Sequence, residues 1–412
     1  MLASQTRAGA FYGWWIVGAL AFTETISWGV VYYAFAVLQG PIGAAQGWSQ
    51  VAVTGAFSLG LLVAGLAAVP VGRWIDRHGA RGLMTAGSCA ATLLLVALAR
   101  VEQLWALYAI WAGLGLCMAT LLYEPAFAVV TVWFVRQRAR ALAIVTFAAG
   151  FASTIFVPLS AALVQGYGWR GALLVLAAVL GVGTIPLHAL VLRRRPHDLG
   201  LLPDGEPLPP GGPAQAAPLA GVRFGAALRT SAFWWLAAAF TLTNLAATAA
   251  LIHLIPFLGT RGYSAGFAAW ATGLIGAMKL PGRALFAPLD ARLPRRVLAA
   301  MLFSLQGVAL LVLIIAPGAA GVLLAVALFG ASSGATTLAR PALLAERFGA
   351  AAYASISGAV ALLLACAQAL APVGAGALRA GLGGYPPVLA LLALLSFGAA
   401  GAVFVAMRGA AA

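Results

Sequence analysis

Charged residues are scarce in this sequence. Only 8% of its 412 residues are Asp, Glu, Lys or Arg, and 63% are hydrophobic, whereas soluble domains are about a quarter charged. A soluble chain of this length could not bury so much apolar surface, so lipid must be part of its solvent. Continuous apolar runs of about 18 residues or more recur, each long enough to cross a hydrocarbon core of roughly 30 Å. Because polar and apolar residues do not alternate within them, the runs predict membrane-spanning helices rather than a barrel.

Cysteine is rare as well, and the sequence signatures of several protein classes are missing. The three cysteines lie inside apolar runs and lack the spacing of a disulfide or a metal site. The sequence has no Walker loop, no nucleophile–base constellation, no metal-ligand cluster and no sizeable soluble segment. We therefore expect neither an enzyme nor an ATP-driven pump, and no cofactor or metal ion.

The apolar runs predict twelve membrane spans, numbered here 1 to 12 along the chain. They cover 11–39, 50–72, 82–100, 104–134, 140–165, 169–192, 232–258, 264–288, 297–316, 319–341, 351–378 and 385–407. Spans 3, 6, 9 and 12 are nearly bare of polar groups. Since lone hydroxyls can bond back to their own helix, we expect these four spans to face lipid on most sides.

The net charge of +15 would suggest nucleic-acid binding in a soluble protein, but here the arginines indicate topology. With the N-terminus inside, eighteen arginines, Arg340 among them, fall at cytoplasmic ends of spans, and four fall at outer ends. This positive-inside bias predicts that both termini are cytoplasmic. We expect a multi-pass protein of the cell (inner) membrane that binds no nucleic acid.

The two halves of the chain resemble each other. Asp76 and Asp290 each follow a span and lie 214 residues apart, and Pro125 and Pro341 lie 216 residues apart. A constant offset of about half the chain length indicates an internal duplication. Two parallel six-helix repeats are one of the known transporter architectures, with a site between them near the middle of the membrane.

A stretch rich in Arg, Pro and Gly lies between span 6 and span 7, where the hydrophobic pattern lapses. Such a composition is typical of a linker and cannot pack a core. The sequence thus predicts an N-terminal six-helix bundle over 1–192, a cytoplasmic linker over 193–231 and a C-terminal six-helix bundle over 232–412.

The loop after span 2 carries a recognisable motif. It reads Gly-Arg-Trp-Ile-Asp-Arg-His-Gly-Ala-Arg over residues 72–81, and it resembles the Gly-x-x-x-Asp-Arg-x-Gly-x-Arg loop of the major facilitator superfamily. With the 6+6 layout, the resemblance covers essentially the whole chain. It implies an all-α integral membrane protein in which twelve transmembrane helices form two six-helix bundles, working as a secondary transporter by alternating access.

The motif residues have a physical role that does not involve substrate. Glycines let two helix ends approach closely, and an aspartate can pair with an arginine or cap a neighbouring helix. The predicted latch residues are Gly72, Asp76, Arg77, Gly79, Arg81 and, in the second half, Asp290. Arg136, Arg138 and Arg140 of the next cytoplasmic loop are candidate partners of Asp76. The alternative is that all of these residues only anchor the protein in the headgroup region.

Four ionisable side chains lie well inside the predicted spans. They are Glu24, Glu124, Lys279 and Arg283, and each costs roughly 2.5–3.5 kcal/mol at a helix centre. Lys279 and Arg283 are one turn apart on span 8, so an anion between them and the other half would relieve their repulsion. The alternative is that they pair with Glu24 and Glu124 in a neutral network.

A second, looser resemblance concerns span 1 and span 8. The aromatic first helix and Arg283 resemble the branch that contains monocarboxylate transporters and oxalate–formate exchangers. The resemblance implies that Arg283 carries the substrate carboxylate. Animal members have an aspartate where this chain has Lys279, and the exchangers have a second basic residue in span 11, where this chain has Gln368.

Other candidate residues follow stripes of helical spacing or adjoin a proline. The further substrate-binding candidates are Trp28, Tyr32, Tyr123, Asn244 and Gln368. Their stripes either pack helices together or line a wet cavity.

Two carboxyl groups are candidates for carrying protons. Glu24 lies near the middle of span 1, and Glu124 is followed by Pro125, which breaks the helical hydrogen-bond ladder of span 4. The sequence does not rank the two. The stretch that contains Glu124 is also a candidate hinge.

The leading hypothesis is a monomeric secondary transporter of a small organic anion, a mono- or dicarboxylate. Its partners would be the substrate, the lipid bilayer and protons, since it would work by proton symport or anion exchange. A proton-coupled exporter of hydrophobic or cationic compounds is the first alternative. A non-transporting membrane sensor on the same scaffold is the second.

Overall fold

Long helices make up most of the chain. The structure is a computed structural model that describes residues 11–207 and 219–408. The part of the predicted linker over 208–218 and the chain ends lie outside the described residues. The spans run over Tyr12–Gln46, Gln50–His78, Arg81–Leu98, Leu104–Trp133, Arg138–Leu190 (spans 5 and 6), Ser231–Thr260, Ala265–Asp290, Arg295–Ile315, Gly318–Phe348, Tyr353–Leu382 and Tyr385–Ala406. Three short helices, Pro196–Leu199, Pro203–Gly205 and Phe224–Leu228, lie between spans 6 and 7.

Ten helical segments of the described chain are long and apolar enough to cross a membrane. One of them, Arg138–Leu190, has 53 residues and would be about 80 Å long if straight. Its backbone leaves the helical conformation at Gly168, where φ is 68°, so it holds two spans. Span 8, which carries Lys279 and Arg283, is not among the ten. The all-α membrane fold predicted from the sequence is confirmed.

The repeat seen in the sequence reappears in local structure. Span 2 begins after Ser49, whose hydroxyl accepts a hydrogen bond from the Ala52 amide at 3.2 Å. Span 8 begins after Ser264, whose hydroxyl accepts one from the Phe267 amide at 3.2 Å. A serine in this position satisfies an amide that the helix leaves free. Equivalent positions in the two halves therefore start their helices in the same way.

Two ends of the helix bundle differ in how they pack. We call the end where span 1 begins and span 12 ends the termini side. There, a single hydrophobic cluster contains residues of both halves. At the opposite side, one cluster belongs to spans 1–6 and another to spans 7–12. The two halves thus share a core at the termini side and have separate cores at the opposite side.

Spans 2 and 11 form much of the contact between the halves. The approach is closest at Gly72, where an added Cβ would collide with the Ala354 carbonyl, and at Gly358, where it would collide with the Ala68 carbonyl. Further along the same pair of spans, a Cβ on Gly65 would meet that of Ala365. Glycine at these positions lets the two backbones touch.

Span 10 is longer than predicted. It continues from Gly318 to Phe348, whereas the hydrophobic pattern placed its end at residue 341. Arg340 consequently lies two turns before the end of the helix, which corrects its assignment to the end of a span. The helix continues through Pro341, whose neighbours Leu338 and Ala342 are buried.

Spans 3, 6, 9 and 12 carry polar contacts that the sequence analysis did not predict. Ser88 and His188 join span 3 to span 6, with Oγ and Nδ1 2.9 Å apart, and the Thr184 hydroxyl donates to Ser88 Oγ at 2.9 Å. In the other half, Gln306 Nε2 donates to Ser396 Oγ at 3.1 Å, joining span 9 to span 12. The hydroxyls of Thr184 and Ser396 also donate to carbonyls of their own helices, at 2.7 and 2.9 Å, so these spans combine the predicted back-bonding with bonds between helices.

The described parts of the linker are attached to both halves. Asp204 accepts hydrogen bonds from the amides of Val135, Arg136 and Gln137 at 3.2, 2.8 and 3.2 Å. Beyond the gap, Val222 donates to the Phe348 carbonyl at 2.8 Å. By the repeat offset, the loop between spans 4 and 5 is equivalent to the loop between spans 10 and 11. The linker therefore holds equivalent loops of the two halves.

Candidate functional site

Arg283 extends from span 8 to the other half of the protein. The residue is 8% exposed, and its Nη1 donates to the Thr146 carbonyl of span 5 at 2.5 Å. Space for it exists because residue 150 is glycine: a Cβ there would lie 2.8 Å from Nη1. Arg283 Nε has no hydrogen-bond partner within the described protein. The guanidinium is therefore positioned by span 5 and retains a free donor.

Lys279 lies one turn from Arg283, farther from the termini side. Neither residue takes part in an ion pair within the described chain. Span 8 is held against span 10 in this region, since an added Cβ on Gly334 would collide with the Lys279 backbone and one on Gly282 with Ala331. The structure thus places two positive groups on one helix without an acidic partner among the described residues.

Rings from spans 1 and 4 form the opposite wall. The Trp28 ring centroid is 4.9 Å from that of Tyr123, 5.2 Å from that of Tyr32 and 6.2 Å from that of Tyr33. All four side chains are only partly buried. Span 1 forms a π-helical turn over Trp28–Tyr33, a local widening often found at functional sites. The wider turn helps to bring Trp28, Tyr32 and Tyr33 into one cluster.

The cationic and aromatic walls meet across the two halves. Arg283 lies close enough to Tyr33 and Tyr123 to interact electrostatically with both. Of the predicted substrate-binding residues, the structure therefore groups Arg283 of span 8 with Trp28, Tyr32 and Tyr123, and Lys279 lies one helical turn from Arg283. Tyr33, which the sequence analysis did not list, belongs to the same cluster.

Two other predicted substrate-binding residues make no contact with this cluster among the described hydrogen bonds, ion pairs and ring contacts. Asn244 on span 7 is half-buried, and its Oδ1 atom has no hydrogen-bond partner within the described protein. Gln368 on span 11 is exposed. Their place in a substrate site stays a prediction.

Glu24 is fully buried beneath the rings. Neither of its carboxyl oxygens has a hydrogen-bond partner of normal geometry in the described chain, and the same is true of Trp28 Nε1. Trp28 and Glu124 are near enough to influence the carboxyl group electrostatically. A buried polar group without a partner is uncommon and calls for an explanation.

Glu124 has partners that the sequence analysis did not foresee. Arg340 Nη2 donates to Glu124 Oε1, and the Ser357 hydroxyl donates to Oε2. The neutral network predicted as an alternative, with Lys279 and Arg283 as the cations, is therefore wrong for Glu124. Arg340 thus joins the four ionisable residues predicted inside spans as a charge within the described helix of span 10.

The repeat contained a signal for this ion pair. Glu124 precedes Pro125 and Arg340 precedes Pro341, each pair being separated by 216 residues. Residues at equivalent positions of two repeats related by a pseudo-twofold axis face each other when they lie near that axis. Span 4 therefore meets span 10 through a carboxylate and a guanidinium. We call Glu124, Arg340 and Ser357 the gate cluster.

The motif after span 2 makes a further contact between the halves. Asp76 accepts hydrogen bonds from the amides of Ala354 and Ser355 at 3.0 and 2.9 Å, and from the Ser355 hydroxyl. It thus caps the N-terminus of span 11, where a negative charge is favourable. Of the two predicted modes of binding, helix capping is the one seen. Arg136 and Arg138 bind elsewhere: Arg136 pairs with Asp204 and Glu206, and Arg138 donates to carbonyls of its own segment.

The other motif residues have separate roles. Gly79 ends span 2 with φ at 82°, and Arg81 Nε donates to the Ala189 carbonyl at 2.8 Å. Arg77 contributes its carbonyl, which accepts from Arg194. Asp290, the second copy of Asp76, pairs with Arg295 at 2.8 Å within its own half. The capping contact is thus made by Asp76 but not by its repeat counterpart.

Comparisons with known proteins agree with this architecture. Residues 17–372 match the model of the Major Facilitator Superfamily. The chain is 27% identical to monocarboxylate transporter 13 of Bos taurus over 410 residues, which cover 97% of this chain and 88% of that protein. It is 34% identical to human monocarboxylate transporter 11 over 154 residues, which cover 36% of this chain and only 31% of that protein.

Solved structures of the same fold are also similar. The transporter FucP in its outward conformation has a TM-score of 0.71 at 16% identity, covering 96% of this chain and 98% of FucP. The human organic anion transporter MFSD10 has a TM-score of 0.66 at 15% identity, covering 94% and 98%. The match of the family model to most of the sequence, together with this fold, shows that the chain is a multi-pass membrane transporter of the Major Facilitator Superfamily.

Proposed function

We propose that the protein carries a small organic anion, a mono- or dicarboxylate, by alternating access. The observation that supports this most directly is the position of Arg283 between the halves, with a free Nε and no acidic partner in the described chain. A buried guanidinium without a counterion is costly, and a bound carboxylate would offset that cost through two parallel hydrogen bonds. The similarity to monocarboxylate transporters favours the same substrate class.

The packing difference between the two ends supports an alternating-access cycle. We take the termini side as cytoplasmic, because the arginine distribution favours that orientation. The shared core, the Asp76 cap and the gate cluster then close the cytoplasmic side, whereas the halves have separate cores at the outer side. This arrangement corresponds to an outward-facing state. Lys279, one turn nearer the outer side, would attract the anion before it reaches Arg283.

Glu24 and Glu124 remain the candidates for proton coupling, by symport or in exchange. Glu124 bonds across the halves, so its partners change whenever the termini side opens. Glu24 is buried between Trp28 and the gate cluster without a hydrogen-bond partner in the described chain. A carboxyl group in such a place exchanges protons when the cavity around it is rewetted. This arrangement favours proton symport over simple anion exchange.

The test is carboxylate uptake by proteoliposomes that contain the purified protein. Arg283→Gln should lower uptake at least tenfold, since a charged hydrogen bond in a buried site contributes about 1.5–3 kcal/mol. Arg170→Gln is the matched control, because Arg170 is exposed and stacks only on Trp169, 4.2 Å from its ring. Equal uptake of every carboxylate by wild type and Arg283→Gln would rule out this assignment.

One observation favours a second candidate, a proton-coupled exporter of hydrophobic cations. Glu24 lies unpaired beside the ring of Trp28, and a carboxyl group with aromatic neighbours is a suitable site for an organic cation. Glu24→Gln would then abolish efflux of cationic dyes, with Arg283→Gln having no effect. The anion proposal predicts the reverse for Arg283.

A further inference from the structure

The rings opposite Arg283 continue away from it as a connected series. From Tyr123 the series passes to Trp28 and Tyr32, and then to Phe57 of span 2, whose centroid is 5.5 Å from that of Tyr32. Phe57 lies about two turns from the start of span 2 at the opposite side. The series therefore runs from the guanidinium toward the side on which the halves have separate cores.

The rings along this series are neither fully buried nor stacked face to face. Trp28, Tyr32, Tyr123 and Phe57 are all partly exposed, and the ring planes of successive members are inclined by 46°, 65° and 63°. Rings that served only as core would be covered, as Phe127 is. Partly exposed, inclined rings can accept a further ring in edge-to-face or offset contact at 4.5–7 Å.

The wall is apolar at its outer end, where Phe57 lies. Trp28 Nε1 has no partner in the described chain and supplies a single donor beside the rings. Phe57 supplies none, and it is backed by Phe35, which is stacked on it at 4.3 Å. On this wall, hydrogen-bonding groups for sugar-like hydroxyls are limited to Trp28 Nε1 and the tyrosine hydroxyls. The series is thus apolar at its outer end and cationic at its inner end.

We infer that the transported anion is an aromatic monocarboxylate, whose carboxylate binds Arg283 and whose ring lies against Trp28, Tyr32 and Phe57. This inference rests on the proposed function and narrows it from carboxylates in general. Arg283 binds the carboxylate at one end of the ligand, and the rings stabilise a flat apolar group at the other end. An aliphatic acid of the same charge would leave the ring faces without a partner.

The experiment compares phenylpyruvate with pyruvate, which has the same headgroup without the ring. Uptake of each by proteoliposomes gives kcat/KM for the two acids. Wild type should prefer phenylpyruvate by about tenfold or more, as expected for one ring contact plus burial of apolar area. Trp28→Leu and Tyr32→Leu should each reduce that preference severalfold, with Tyr32→Phe retaining more of it because the ring remains.

Trp15→Leu is the matched control. Trp15 is on the same span, is 67% exposed and lies outside the ring series, so the preference should not change. The melting temperature of each variant, measured with and without phenylpyruvate, separates misfolding from loss of binding. Stabilisation of Trp28→Leu equal to that of wild type would overturn the inference.

The outcomes for the two proposals differ. If pyruvate and phenylpyruvate are taken up equally well, with both uptakes dependent on Arg283, the aromatic inference is wrong and the carboxylate transporter stands. If neither acid nor any other carboxylate is taken up, the proposed function itself fails, and the inference with it.

Discussion

Removing one member of the gate cluster should shift the protein toward the state that is open at the termini side. The Arg340 side chain is 13% exposed and that of Glu124 is 23% exposed. Two unit charges in contact attract each other by about 4 kcal/mol at an effective dielectric of 20, and much of this is offset by desolvation. Allowing for the partial exposure, we expect Arg340→Gln to weaken closure by about 2 kcal/mol, a roughly thirtyfold change in the ratio of closed to open states.

Spin labels can report this shift as a distance. Gly82 and Arg292 are exposed at the termini side, one in each half, and both can be changed to cysteine in a variant without the three native cysteines. Double electron–electron resonance should show a single short distance between the two labels in this background. In Arg340→Gln it should show an added population at a longer distance. Arg100→Gln, an exposed residue at the opposite side, should leave the distribution unchanged.

The equivalence of the two positions allows a strict test of the reasoning. Because Glu124 and Arg340 occupy matching places in the two repeats, exchanging them, as Glu124→Arg with Arg340→Glu, keeps opposite charges in contact. The exchange should restore the short distance that either single substitution loses. An unchanged distribution in Arg340→Gln, or an exchange variant as open as the single variants, would refute the gate assignment.

Two further predictions concern residues that position this machinery. Gly150→Ala should raise KM for the anion severalfold, because the new Cβ would lie 2.8 Å from Arg283 Nη1. Since Nη1 is at the mobile end of its side chain, the melting temperature should fall little. An unchanged KM would contradict this prediction. Asp76→Ala should make closure of the termini side less favourable by about 1–2 kcal/mol, the value of a lost helix cap. The same pair of spin labels would show the open population. Ser355→Ala, which removes one of the three hydrogen bonds to Asp76, should have a smaller effect.

The sequence predicted the fold well because hydropathy and duplication act over the whole chain. The spans, the all-α class and the superfamily follow from long apolar runs, the repeat and the motif after span 2. The N-terminal domain, the linker and the C-terminal domain with bounds at 192 and 232 stay a prediction. Arg340 was missed because it lies one residue before the predicted end of span 10 and was assigned to the cytoplasmic end, whereas the helix continues for two more turns.

The site was predicted less completely, since side-chain partners depend on packing. Arg283 and Trp28 were singled out by residue type and spacing, but no pattern in the sequence shows that Asp76 caps span 11 or that Ser357 bonds to Glu124. Tyr33 joins the rings through a π-helical turn, which a spacing rule of 3.6 residues per turn does not anticipate. The roles of all these residues in transport stay predictions.

The attachment of the linker has a consequence for how the chain could be divided. Its first part is bonded to the loop between spans 4 and 5 through Asp204, and its last part to the loop between spans 10 and 11 through Val222. Each half therefore binds the part of the linker that is next to it. The covalent connection raises the effective concentration of one half near the other. Two separate polypeptides, 1–210 and 216–412, should thus assemble into an active transporter when they are produced together. The two genes of such a split protein could then be varied independently.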